Sequence, residues 1–271
     1  MAPLILAVAL FMEQMDSTVI ATSLPAIAAD IGTNPVALKL ALTAYLVSLA
    51  IFIPVSGWMA DRFGARRVFR IAIGVFVVGS ILCALSGSLA AFVGARFLQG
   101  MGGAMMTPVA RLVLVRATPK KDLVSAMAWL TIPALVGPLV GPPVGGFITT
   151  YFTWHWIFLI NVPIGIAGIF FAGRVLPEIA GRAGDRLDVA GFALSAVAAS
   201  GIVFGLSVIS LPALPPVFGV LTAALGLVAA FVYVRHARHR DKPILDLSLF
   251  ANPAFRAAIL GGSFFRIGAG A

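Results

Sequence analysis

Glu13 and Asp16 have the most chemistry to offer in this sequence, because both carboxylates sit in a stretch, Leu4 to Ala29, that is otherwise apolar or small. An ionisable group near the middle of a bilayer costs about 2.5–3.5 kcal/mol on insertion scales. Such groups are tolerated mainly where they bind an ion, a proton or a substrate. The i, i+3 spacing puts both carboxyls on one helical face, one turn apart. That pattern predicts a coupling site in a transporter.

The elements that must hold these acids are legible in the composition. The chain has 271 residues, of which 61% are hydrophobic and 11% charged, too little charge to clothe a soluble exterior. Apolar runs of spanning length fall near 4–27, 36–56, 71–88, 90–110, 124–149, 156–173, 189–209 and 216–234, and a partial ninth begins near Phe255. The expected fold class is all-α and polytopic. The short alternating strands of a membrane β-barrel are not evident.

The net charge of +9 records orientation rather than a nucleic-acid partner. With the N-terminus placed in the cytoplasm, every Lys and Arg except Lys39, Arg96 and Arg266 falls at or near a cytoplasmic boundary, Arg182 among them. Cys83 is the only cysteine, so neither a disulfide within the chain nor a thiolate metal cluster is expected. The first span lacks a basic n-region and is too long for a signal peptide's apolar core, so it is expected to be retained.

The organisation predicted from these runs is a six-helix bundle over 1–174, a cytoplasmic loop over 175–188, two accessory membrane helices over 189–234, a basic loop over 235–254, and the start of a second bundle over 255–271. Outer connections at Ser86–Leu89, Tyr151–His155 and Leu211–Pro216 are short. The two accessory spans carry no charge and read as packing or lipid-facing helices. His236 and His239 read as part of the basic loop, and no metal-ligand spacing accompanies them.

Three strings add chemistry. Between the second and third spans stands Gly57-Trp58-Met59-Ala60-Asp61-Arg62-Phe63-Gly64-Ala65-Arg66-Arg67. It reads as a tight turn, with Gly57 and Gly64 supplying permissive backbone angles. Asp61 is placed there to accept at a helix N-terminus or to pair with an arginine. The fourth span carries Arg96-Phe97-Leu98-Gln99-Gly100. A guanidinium at that depth should seek a carboxylate, which predicts an Arg96–Asp16 relation. The alternative is that Arg96 snorkels to the outer interface. The fifth span holds Gly137-Pro138-Leu139-Val140-Gly141-Pro142-Pro143-Val144-Gly145-Gly146. Its glycines at 137, 141 and 145 make a flat seam for close helix packing, and its prolines remove backbone donors and bend the helix.

These strings resemble motifs of the major facilitator superfamily, whose fold would supply the six-helix bundle and a second one. Met15-Asp16-Ser17-Thr18-Val19-Ile20 and Trp154-His155-Trp156 through Asn161-Val162-Pro163 narrow the resemblance to its fourteen-helix drug:proton antiporters (EmrB/QacA type), closest to the MdtD-like multidrug branch. The resemblance implies that Gly57, Asp61, Arg62, Gly64, Arg66 and Arg67 form a cytoplasmic gate. It implies that Arg96 and Gln99 belong to proton coupling with Asp16, and that Gly137, Gly141, Pro142, Gly145 and Gly146 form the antiporter motif that marks exporters. Glu13 departs from the family pattern, where a neutral residue is more usual. It stands as a second proton or cation site, or as a partner for Arg96.

The function expected is proton-coupled efflux of drugs or lipophilic, cationic small molecules across the cytoplasmic membrane by alternating access. No cofactor is expected beyond the proton gradient. The partners are a small-molecule substrate, protons and the lipid bilayer, with accessory export proteins left open. An enzyme is not expected, and the glycine strings lack the Gly-Lys-Ser/Thr of a nucleotide loop. The chain is expected to be an N-terminal part of a longer carrier and inactive alone. Export of an anionic metabolite anchored by Arg96 and a non-transporting receptor on the same fold are the alternatives. The role of Arg266 is left open.

Overall fold

The computed structural model of the protein describes residues 2–178, 181, 186–209 and 215–270, with the backbone alone for 265–270. Its α-helices are α1 (Ala2–Ile31), α2 (Pro35–Phe63), α3 (Ala65–Ala84), α4 (Leu89–Ala117), α5 (Leu123–Tyr151), the short α6 (Trp156–Leu159), α7 (Asn161–Val175), α8 (Val189–Ile209), α9 (Pro216–Arg238) and α10 (Pro253–Gly270). Among the described residues, eight segments are long and apolar enough to cross a membrane, α6 and α7 together making one of them. Arg182, positions 211–214 of the expected outer connection, and the Arg266 side chain lie outside the described residues.

Local chemistry sets the helix starts. Asn34 caps α2 by accepting from the Val36 N–H at 2.8 Å, with Pro35 at the first helical position, where its missing N–H costs nothing. Ser88 caps α4 by accepting from Ala91 N–H at 3.3 Å. Asp188 accepts from Gly191 N–H at 3.0 Å and so caps α8. Helix α5 runs unbroken past Pro133, Pro138, Pro142 and Pro143.

The Gly57–Arg67 string is not the open turn its composition suggests. All of it is helical except Gly64, the single residue between α2 and α3. Gly57 lies inside α2 with open space beside it, and so contributes no turn. Asp61 sits in the last turn of α2, not at a helix N-terminus. The chain reverses on one residue because Gly64 takes φ +88°, ψ 130°, a region closed to side-chain-bearing residues. Gly64→Ala is therefore expected to cost about 1–3 kcal/mol, readable as a lower melting temperature of the purified protein in nanodiscs. An unchanged melting curve would show that the reversal tolerates a side chain. The third helix also starts earlier than its apolar run, at Ala65. There the arginine-rich segment simply continues as helix.

Packing is by small residues. Helix α1 lies along α5, α4 is held between α2 and α3, and α8 pairs with α9 while leaning on α2. A Cβ on Gly102 of α4 would come 2.7 Å from Ala72 O of α3, and one on Gly100 would come 2.7 Å from Tyr45 O of α2. Only glycine permits these approaches, which bring backbone dipoles and dispersion contacts together where lipid offers no hydrophobic drive. In the accessory pair, Gly205 sits against Gly219 and Gly201 against Gly226. Phe52 of α2 meets Phe192 of α8 at 6.3 Å between ring centroids. Phe218, Leu221, Leu225, Val228 and Phe231 of α9 point outward, apolar and exposed, as a lipid-facing surface requires.

His236 is not a loop residue, contrary to its sequence reading. It lies in the last turn of α9, with Nε2 2.9 Å from Asp188 Oδ1, and ties the end of α9 to the start of α8. Burial pushes the Asp188 carboxyl up, but the Gly191 N–H, His236 and Arg240 outweigh it and hold the group below the ordinary aspartate range. The sign follows from linkage: the stabilisation is complete above the ordinary aspartate pKa of about 3.9 and is lost as pH falls through the lowered value. Asp188→Asn, which keeps a capping oxygen, is expected to remove that acid limb of the melting profile and to cost at most about 1 kcal/mol at neutral pH through the lost charge beside His236. An acid limb that survives the substitution would assign it elsewhere.

Candidate functional site

The two carboxylates of α1 meet different surroundings. Asp16 is fully buried and ion-paired with Arg96 of α4, Nη1 to Oδ2, at 2.6 Å. Its other oxygen accepts from Gln99 Nε2 at 2.9 Å and from Asn161 Nδ2 of α7 at 3.0 Å. Gln99 and Asn161 also donate to Ser80 Oγ of α3, at 2.7 and 3.2 Å, and Arg96 donates to Gln99 Oε1. One connected network thus crosses α1, α3, α4 and α7. Gly79 of α3 makes this possible, since a Cβ there would lie 2.6 Å from Gln99 Cα.

Arg96 is fully buried, which removes the snorkelling alternative. Its guanidinium lies over the Tyr45 ring of α2 at 4.2 Å from the centroid and 5.9 Å from that of Phe158 in α6. Cation–π attraction lets the buried charge rest on apolar side chains. Nε and Nη2 make no hydrogen bond with the described residues. Removing one partner of such a pair strands the other, a cost of about 3–5 kcal/mol.

Glu13 is also buried, but it is not the partner of Arg96 that one sequence reading allowed. Its carboxylate accepts from Thr107 Oγ1 of α4 at 3.2 Å and from Tyr45 OH at 3.5 Å. Arg96 is committed to Asp16 and Gln99 instead, because Asp16 lies one turn further along α1 at the level of Arg96. Tyr45 touches both acids' surroundings, through its hydroxyl to Glu13 and its ring face to Arg96.

At one end of the bundle the residues of the Gly57–Arg67 string make their contacts. Asp61 pairs with Arg116, at the end of α4, at 2.7 Å. Arg66 pairs with Glu178, after α7, at 3.0 Å and donates to the Leu176 carbonyl at 3.4 Å. Arg62 lines a cavity of about 270 Å³ with Trp58, Asp61, Arg116, Arg186 and Asp188. These pairs are half-exposed, so each contributes at most about 1 kcal/mol to stability. At the opposite end Trp154 is buried, and its indole N–H donates to Asp30 Oδ2, in the last turn of α1, at 3.0 Å. Trp129 and Trp156 face outward.

The Gly137–Gly146 string divides by its packing. Gly137, Gly141 and Gly145 face α1, where a Cβ on Gly137 would meet Phe11 O at 3.0 Å and one on Gly145 would meet Val19 O at 2.6 Å. Gly146 faces open space. The seam therefore lies along the helix that carries Glu13 and Asp16.

Sequence reasoning did not single out Tyr45, Ser80, Thr107 and Asn161 as site residues. Asn161 was detectable as a polar amide within a span. Tyr45, Ser80 and Thr107 carry no such signal, since a hydroxyl in a membrane helix commonly bonds its own backbone.

Comparison with known proteins then places the chain. The family model described as Major Facilitator Superfamily matches residues 6–270. The chain belongs to the major facilitator superfamily. Among curated members it is 38% identical over 266 residues to "Putative multidrug resistance protein MdtD" of Escherichia coli O157:H7, covering 98% of this chain and 56% of that protein. The protein of the same name in Shigella flexneri matches equally. The chain thus spans about half the length of the curated relatives it matches. Among solved structures, the MFS proton:xylose symporter XylE bound to 6-bromo-6-deoxy-D-glucose superposes with a TM-score of 0.59 at 13% identity, over 88% of this chain and 54% of that one. A D-xylose-proton symporter superposes with a TM-score of 0.59 at 18% identity, over 86% and 65%. These likenesses establish the facilitator fold. The family and the apolar helices make the protein membrane-integral.

Proposed function

We propose that the chain forms part of a proton-coupled exporter of lipophilic, cationic small molecules in the cytoplasmic membrane, with its N-terminus in the cytoplasm. The curated relatives named for multidrug resistance support the substrate class. The observation that carries the mechanism is the fully buried Asp16–Arg96 pair, cross-linked by Gln99 and Asn161.

Buried in this way, Asp16 and Arg96 attract each other in a medium of low effective dielectric. A proton arriving from outside and binding Asp16 cancels the carboxylate charge. Arg96 then loses its counter-ion, and the bonds from Gln99 and Asn161 weaken because their acceptor is no longer charged. The four helices tied by that acceptor are free to shift relative to one another. Loss of the proton to the cytoplasm restores the pair. A cationic substrate favours ionised carboxyls in the same region, so proton and substrate exclude each other, as antiport requires. Asp61–Arg116 and Arg66–Glu178 act as the cytoplasmic gate, weak enough individually to open in each cycle. The substrate leaves chemically unaltered, and the proton gradient is the only driving force.

A second reading is export of an anionic metabolite. It is favoured by Arg96 Nε and Nη2, which are buried and bond no described acceptor.

The test is substrate-triggered proton release in everted vesicles carrying the full-length protein, followed with a pH-sensitive dye. Lipophilic cations are expected to collapse a preset gradient in wild type and to leave it intact in Asp16→Asn. Collapse by anions alone would select the second reading. Equal collapse in both proteins would remove Asp16 from coupling.

A further inference from the structure

We infer that the cavity beside the Asp61–Arg116 pair binds a phosphate group, carried by an anionic lipid headgroup or free in solution, and that the bound group ties the helices α8 and α9 to α2 and α4. The site lies away from Asp16 and does not rest on the export reading.

Four separate segments each bring one cationic side chain to this cavity of about 270 Å³. Arg62 comes from the last turn of α2, Arg116 from the last turn of α4, Arg186 from the stretch before α8 and Lys242 from the stretch after α9. Two acids share the lining, and both are already answered. Asp61 pairs with Arg116 at 2.7 Å, and Asp188 accepts from the Gly191 N–H at 3.0 Å and lies 2.9 Å from His236 Nε2. Among the described residues neither Arg62 nor Arg186 forms an ion pair. Two guanidiniums with unanswered charge on one concavity favour an anion there. A phosphate presents several charged acceptor oxygens, which suit two planar donor forks reaching in from different segments. Basic residues scattered along a membrane boundary attract anionic lipid without forming a site; these converge on one cavity. Its volume falls below the roughly 300–1,000 Å³ of pockets that enclose a drug-sized ligand, and so suits a single phosphate group.

The walls are held in place before any ligand arrives. The Tyr233 hydroxyl of α9 donates to the Leu245 carbonyl at 3.0 Å and accepts from the Leu245 N–H at 2.7 Å. That clasp fixes the segment bearing Lys242 and Ile244 against α9. His236 holds Asp188, two residues from Arg186, against the end of the same helix. On the other side Arg62 is positioned by the one-residue reversal at Gly64. Trp58 also lines the cavity, a residue type that settles at headgroup level in membranes. A phosphate accepting from both Arg62 and Arg186 joins the end of α2 to the start of α8. It also offers Arg116 a second anionic partner in competition with Asp61, whose pair is half-exposed and weak. Occupancy thus tightens the docking of α8 and α9 while loosening the Asp61–Arg116 contact.

The experiment is thermal unfolding of the purified full-length protein in three settings at constant ionic strength. These are nanodiscs of phosphatidylcholine, the same nanodiscs with phosphatidylglycerol mixed in, and phosphatidylcholine nanodiscs with inorganic phosphate added. Wild type is expected to melt higher as the anion is titrated in, by mass action on the folded state. A response to phosphatidylglycerol alone identifies the source as a lipid headgroup, and a response to inorganic phosphate shows that the free group suffices. Arg62→Gln combined with Arg186→Gln is expected to raise the anion concentration for half-maximal stabilisation on the order of tenfold, equivalent to about 1.4 kcal/mol. The Arg62→Lys, Arg186→Lys pair, which keeps both charges, should retain more of the response. Arg256→Gln removes an exposed cation outside the cavity lining and should stay within about twofold of wild type, as surface substitutions do. If the double glutamine variant does not fold in phosphatidylcholine, Arg186→Gln alone, outside any helix, carries the same comparison. The site is overturned if neither anion stabilises wild type, or if the glutamine variants respond as wild type does. An equal loss in Arg256→Gln also overturns it, because the effect would then be general attraction to an anionic surface.

Discussion

Asp16→Asn and Arg96→Met are each expected to destabilise the protein by about 3–5 kcal/mol, while the double variant recovers much of that loss. Each single change leaves a buried group facing a partner it was balanced against: a guanidinium beside a neutral amide, or a carboxylate with two amide donors and no cation. Removing both takes the unpaired charge away altogether, and a thioether fills the space against Tyr45 and Phe158. The measurement is a double-mutant cycle on chemical or thermal unfolding of the purified protein in nanodiscs, alongside the vesicle assay. Stability should return in the double variant and proton release should not. Additive losses would mean that the 2.6 Å pair is not a coupled unit in the membrane, and the coupling role of Asp16 would lose its physical basis.

Neighbouring glycines of the Gly137–Gly146 string should respond differently. A Cβ at Gly145 lies 2.6 Å from the Val19 carbonyl of α1, whereas one at Gly146 meets nothing within 4 Å. Gly145→Ala must push α5 away from backbone, which cannot rotate aside, at a cost of about 1–3 kcal/mol. The shift falls on the helix that carries Glu13 and Asp16, so transport should fall with stability. Gly146→Ala should leave melting within about 0.5 kcal/mol of wild type and retain proton release. Equal loss in both would mean that the string acts through backbone flexibility at Gly146 and not through the α1–α5 seam.

Both predictions rest on distinctions that one-dimensional spacing does not draw. The string around Gly57 is a clear example. Its Gly, Asp and Arg content reads as a turn, yet helix persists to Phe63 and resumes at Ala65 because a single positive-φ residue is enough to reverse the chain. The pairing of Asp61 with Arg116 joins residues 55 positions apart and has no local signature. Asp188 and His236 likewise meet only because α8 and α9 fold back on glycine crossings.

The sequence by itself determined that the chain is a set of membrane helices, where charge is allowed within them, and that the acids of the first span are the carboxylates within reach of Arg96. Hydrocarbon leaves no water for an unpaired backbone group or a lone charge, so span length and the position of each ionisable residue are dictated residue by residue. Only the tertiary structure decided which acid Arg96 would take, that Glu13 would be left with Tyr45 and Thr107, and that Ser80 and Asn161 would close the network. Those outcomes depend on the rotation and depth of α1, α3, α4 and α7 relative to one another. Close approach at Gly79, Gly102, Gly137 and Gly145 sets both, and contacts between distant segments are not encoded in the spacing of any one helix.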